Sequence, residues 1–218
     1  RSGSMQGMVD PAIAGFNQFL REQCEAPGEA RLSLILFDDQ YEVPCNRLPL
    51  DEVPELDTTT YVPRAMTALL DAIGRTINEI DQKLQGMLEA ERPGKVMVAI
   101  FTDGLENASR EFSLDRINQL IREKRENHGW EFLFLAANQD AIASAGRMGI
   151  DPNMSGTVQF SKAGVHSSSS SMSRKMHAMR HFSVSACKSE DFDAPMQSIA
   201  LEEEEIVKKK RKKDDQDS

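Results

Sequence analysis

Cysteine is scarce in this chain. Cys24, Cys45 and Cys187 are the only three in 218 residues, odd in number and far apart. They outline neither a disulfide framework nor a zinc spacing and suit a reducing compartment. A cytoplasmic location is therefore expected, unless a leader precedes Arg1. Long apolar runs are also missing. The longest, such as Val96 to Phe101, are far too short to cross a bilayer, and no signal-peptide pattern opens the chain. Basic residues are in deficit: 26 Lys and Arg face 35 Asp and Glu, a net charge of −9. That balance argues against general binding to nucleic acid or to an acidic membrane. Enzyme motifs are missing as well. No P-loop, no GxGxxG turn and no GxSxG elbow occurs. All four histidines lie after residue 127, with nothing to tie one to a serine nucleophile.

What is present suits one globular domain. Hydrophobic residues make up 39% and charged residues 28%, and a chain of this length buries a core without staples. Asp10-Pro11 marks a helix start, followed by Ile13, Phe16 and Leu20 at helical spacing to about Ala26. Arg31 to Phe37 and Tyr41 to Arg47 read as a hairpin around Asp38, Asp39 and Gln40. A proline-punctuated crossover with the run Thr58-Thr59-Thr60 leads to a long helix from about Met66 to Leu88. Lys95 to Thr102 and Trp130 to Ala137 are apolar runs of strand length, the kind covered on both faces. Between them Ser113 opens a helix that His128-Gly129 closes. A short helix from Asp140 to Met148, a brief strand from Thr157 to Ser161 and a helix from Ser167 to about Phe182 complete the body. Strands alternating with helices predict an α/β fold: a doubly wound, mostly parallel sheet, helices on both faces, and one antiparallel hairpin strand. Such sheets bind ligands at the carboxyl ends of their strands.

The domain is expected over residues 1–185, and residues 186–218 as a charged, disordered tail. From Glu202 the tail holds seven acidic and six basic residues and only Ile206 and Val207 as apolar side chains. The basic run Lys208 to Lys213 resembles a nucleic-acid patch, but acidic blocks flank it, and a solvated tail is the expectation.

Three stretches stand where an α/β fold places ligands: Ser2-Gly3-Ser4, Thr67 at the start of the long helix, and Asp103 after the first apolar run. Their oxygens suit a hard cation, Mg²⁺, Mn²⁺ or Ca²⁺, in preference to zinc or copper. In this order and spacing they resemble the von Willebrand factor A family, over roughly Arg1 to Ser161 and more loosely to Phe182. Trp130 to Asp140 resembles the penultimate strand and loop of stand-alone prokaryotic or phage members. The family carries a metal-ion-dependent adhesion site written Asp-x-Ser-x-Ser, then Thr, then Asp. Ser2, Ser4, Thr67 and Asp103 match all but the first aspartate, which belongs directly before Arg1, at the end of a central strand. The resemblance implies a non-catalytic binding module. Its divalent cation, weakly held or absent in this chain, captures a protein partner through an Asp or Glu. The α-amino group of Arg1, with a reference pKa of about 8, is expected to oppose a cation.

Other readings stand beside this one. Taken alone, Arg1 to Ser4 is equally the scar of a cloning junction ahead of Met5. A metal-dependent hydrolase or nucleotide-binding enzyme on a similar sheet is the rival function, and a scaffold with a decayed metal site is a third. Asp38 and Asp39 read as turn residues, Glu106 and Asn107 as a solvated loop, and Asn138, Gln139 and Asp140 as helix caps. His177 and His181 read as a solvated pair, and Ser167 to Ser171 as a flexible stretch running into a cap.

Overall fold

The computed structural model describes residues 1–64, 66–103, 105–137, 141–157, 159, 161–182 and 190–214. The fold is mixed α/β, with a three-stranded parallel sheet and a separate two-stranded antiparallel hairpin. A turn of 3-10 helix, Gly3–Met8, runs into α1 (Val9–Glu25). The helix thus starts earlier than Asp10-Pro11 suggests. Pro11 falls in its first turn, where a missing N–H breaks no helical bond. Strands β1 (Arg31–Phe37) and β2 (Tyr41–Pro49) form the expected hairpin. Helix α2 (Leu69–Gln85) follows the crossover, then β3 (Met97–Thr102), α3 (Leu114–His128) and β4 (Glu131–Ala136). Ser113 caps α3 by accepting from Arg116 N, and Gly129 ends it in the left-handed region at φ 64°. Helix α4 (Ala141–Arg147) leads to β5 (Ser155–Thr157). Strand β5 ends where the sequence expected it to begin.

The parallel sheet runs β3-β4-β5, with Met97 opposite Glu131 and Thr102 opposite Ala136. Period-two alternation divides the core across β4. Phe132, Phe134 and Ala136 face Ile73 and Ile77 of α2 and Ile117, Leu120 and Ile121 of α3. Leu133 and Leu135 face Met172 and Met179 of α5 (Lys162–Phe182) and Met196 and Ala200 of α7 (Met196–Asp214). A third cluster joins Met5, Leu36, Leu56 and Tyr61 beneath α1.

Two expectations are corrected. The segment expected as a disordered tail is helical over the four-residue α6 (Glu190–Asp193) and over α7. Met196, Ile199 and Ala200 are buried, which supplies the core contact that the residues after Glu202 lack. Ser167 to Ser171 are not a flexible stretch but the middle of α5. Four of these hydroxyls fold back on carbonyls three or four residues earlier, at 2.5–3.2 Å. Such short side chains let α1 come close: a Cβ on Gly15 would sit 2.4 Å from Ser169 Oγ. Among the described residues no helix is long and apolar enough to cross a membrane.

Candidate functional site

The carboxyl ends of β1 and β3 meet at one cavity. Phe37 comes from the first strand, and Phe101, Thr102 and Asp103 come from the second. Arg1, Ser2 and Met5 join them from the amino-terminal segment, and Tyr61 and Thr67 from the crossover. The cavity is about 20 Å³, room for one water-sized occupant.

The four residues singled out in the sequence come together here. Ser2 precedes the 3-10 turn but makes no capping bond to it, so its hydroxyl turns to the site instead. Ser2 Oγ donates to Asp103 Oδ1 at 2.5 Å and shares a hydrogen bond of 2.7 Å with Ser4 Oγ. Ser2 and Thr67 are buried and line the cavity, whereas Ser4 is exposed at its edge. Asp103 Oδ2 is sealed from solvent and has no hydrogen-bond partner among the described residues. A carboxylate oxygen in that state is costly unless a donor or a cation reaches it.

Thr67 is held by residues that the sequence reading left in a solvated loop. Asn107 Oδ1 accepts from Thr67 N at 2.9 Å, and Asn107 N donates back to Thr67 O at 3.1 Å. Glu106 Oε2 accepts from Leu70 N at 2.9 Å and so caps α2 from outside the helix. Its other oxygen takes Ala108 N and Ser109 N. Ser109 Oγ accepts from Asp71 N at 3.0 Å. Asp71 in turn accepts from the backbone N–H groups of Arg110, Glu111 and Phe112 at 2.8–2.9 Å. Burial alone would raise the Asp71 carboxyl, but these three donors outweigh it and hold the group below its ordinary value. The loop after β3 and the first turn of α2 are therefore one hydrogen-bonded unit.

A second clamp holds the amino terminus. Asp38 is completely buried, more than a turn residue. It does make the turn, accepting from Gln40 N at 2.7 Å, and it also pairs with Arg1 at 3.2 Å and Arg64 at 2.7 Å. Both arginines donate to Glu42 as well and draw its carboxyl down to about 2. Arg64 N closes the ring on Arg1 O at 2.8 Å. The Arg1 α-amino group donates to Phe37 O at 2.9 Å. Burial lowers its pKa to about 6, although the nearby Asp103 charge pulls the other way. Asn138, Gln139 and Asp140 lie outside the described residues, as does the side chain of His181.

The donor chemistry suits a hard cation: three hydroxyls and a carboxylate with one orphaned oxygen. It is lean in charge. Among the described residues no group of three or more His, Cys, Asp or Glu gathers to hold a metal. Tyr61 also lines the cavity. It sits between the Thr58-Thr59-Thr60 run and Pro63 with no periodic pattern to mark it. Comparison with known protein families, curated proteins and solved structures finds no match for this chain.

Proposed function

We propose that this chain is a cation-dependent protein-binding module of the von Willebrand factor A type. Ser2, Ser4 and Thr67 supply hydroxyl oxygens to a divalent cation, directly or through water, and Asp103 supplies charge and orders the waters. Mg²⁺ is the first choice, with Mn²⁺ and Ca²⁺ as alternatives. A bound ion supplies the positive charge on which an Asp or Glu of a protein partner docks. The reading assigns no general base and involves no catalysis. The single observation that carries it is the sealed, unpartnered Asp103 Oδ2 beside Ser2, Ser4 and Thr67.

The doubly wound sheet belongs to the same proposal. Strands β1 and β3 end at one cavity, yet each has a partner strand on one side only among the described residues. A strand between them would join the hairpin to the parallel sheet, and the resemblance places the family's first strand there, ending in its aspartate.

The test is a Mn²⁺ titration followed by electron paramagnetic resonance. The 218-residue chain is expected to bind Mn²⁺ weakly, in the millimolar range, with Mg²⁺ as competitor. An aspartate added before Arg1 is expected to tighten binding about tenfold or more, and Asp103→Asn to abolish it. Equal binding by the wild type and Asp103→Asn would remove the basis of the proposal.

A further inference from the structure

Exposed apolar side chains gather beside the cavity. Large hydrophobics that stand singly on a surface need no explanation. Val62, Met66 and Leu105 differ, because each adjoins a residue of the site. Val62 follows Tyr61, Met66 precedes Thr67, and Leu105 lies two residues after Asp103. They are 47%, 41% and 67% exposed. None of the three joins a hydrophobic cluster of the core. The fold holds them near one another. Asn107 and Thr67 exchange hydrogen bonds of 2.9 and 3.1 Å. Leu105 is two residues from both Asp103 and Asn107, so its Cα lies within about 7 Å of theirs. Met66 is next to Thr67, on the other side of those two bonds. Arg64 N donates to Arg1 O at 2.8 Å and ties the segment after Val62 to the amino terminus. The rim is one-sided, since the amino-terminal segment presents the polar Ser4 at the edge. Leu105 thus stands in water on a loop that Glu106 and Asn107 pin to α2. Apolar groups grouped in this way mark a surface for a partner.

We infer that this rim selects the partner: Val62, Met66 and Leu105 dock a large aliphatic side chain, so the target is an Asp or Glu with a residue such as Leu, Ile or Val beside it. The inference rests on the cation reading above and names the partner chemistry of the same site. Charge complementarity supplies one half of the contact. A carboxylate that approaches a chain of net charge −9 is repelled, and a bound ion turns that repulsion into local attraction. The ion draws every carboxylate alike, whatever stands next to it. The rim supplies the other half and discriminates, because it adds free energy only where an apolar neighbour covers it. A flanking Lys or Ser leaves it wet.

The experiment uses the 218-residue chain in millimolar Mg²⁺ with acetate and hexanoate as probes. Saturation-transfer difference NMR gives the affinity of each, and electron paramagnetic resonance with Mn²⁺ reports cation binding. Four extra methylenes, half covered by the rim, are expected to make hexanoate bind about tenfold more tightly than acetate. EDTA is expected to abolish binding of both. Leu105→Ser and Met66→Ser are each expected to cut the preference to about threefold or less. Leu88→Ser replaces an exposed residue beyond the far end of α2 and is expected to keep it. Equal binding of the two probes by the wild type, or an undiminished preference in both rim variants, overturns the rim and leaves the cation site standing. Hexanoate binding that survives EDTA overturns the rim as well, since the apolar surface then acts without the ion. Failure of the wild type to bind Mn²⁺ overturns the cation site and the rim together.

Discussion

Removing the Asp71 carboxylate should loosen the loop that holds Thr67. Asp71→Ala deletes the acceptor of three backbone N–H groups, those of Arg110, Glu111 and Phe112. Bonds to a charged acceptor contribute about 1.5–3 kcal/mol each when well shielded. Arg110 and Glu111 are exposed, so water recovers part of that loss. Asp71 also lies in the first turn of α2, where a negative charge adds about 0.3–1 kcal/mol. With that recovery counted, the net loss is about 2–4 kcal/mol at pH 7. Asp71→Asn keeps one oxygen for the Glu111 and Phe112 donors and loses the Arg110 bond and the charge, about 1–2 kcal/mol. The sign with pH follows from the lowered carboxyl. Its stabilisation is fully present above the unfolded value near 4 and is lost as pH falls through the folded value. Urea unfolding monitored by Trp130, the sole tryptophan and a buried one, measures both effects. The gap between wild type and Asp71→Ala should narrow from pH 7 to pH 3. An alanine variant as stable as wild type at pH 7, or an equal gap at both pH values, would refute the reasoning.

Gly74→Ala sets two effects in opposition. Alanine gains about 1 kcal/mol in helix propensity, but its Cβ would sit 2.4–2.6 Å from three atoms of the Phe112 ring. The clash should win, with a net loss of about 1–3 kcal/mol, and a raised melting temperature would contradict it. Met196→Ala tests whether α7 belongs to the core. Met196 is fully buried against the sheet, so truncation should cost about 2–5 kcal/mol in urea unfolding. A free tail would show no change.

Where the determinants are local, the sequence is legible. Ser113 and Gly129 bound α3 through their own hydroxyl and their own φ, and both ends fall where the residues say. The apolar run from Phe132 to Ala137 can be covered on both faces only inside a sheet. Ser2, Ser4, Thr67 and Asp103 could be grouped because strand ends and helix starts share one side of an α/β fold. Their holders could not be read in this way. Glu106 and Asn107 look like polar loop residues, and their partners lie 36 and 40 positions earlier. The serines of α5 look flexible because their value is in what they do not occupy, the space that α1 enters opposite Gly15. Helix α7 is not legible because its charged second half dominates the composition, while Met196, Ile199 and Ala200 decide where its first turns go.

Among the described residues β3 pairs on one side only, and this bears on how the molecule behaves in company. Ala99, in the middle of an apolar strand, is exposed, whereas β4 beside it is buried from its second residue onward. A strand edge of this kind offers a row of outward amide and carbonyl groups to any extended segment that meets it. Two copies of the chain carry the same invitation, and the charge of −9 on each keeps them apart. Salt screens that repulsion, so self-association should rise with ionic strength as well as with concentration.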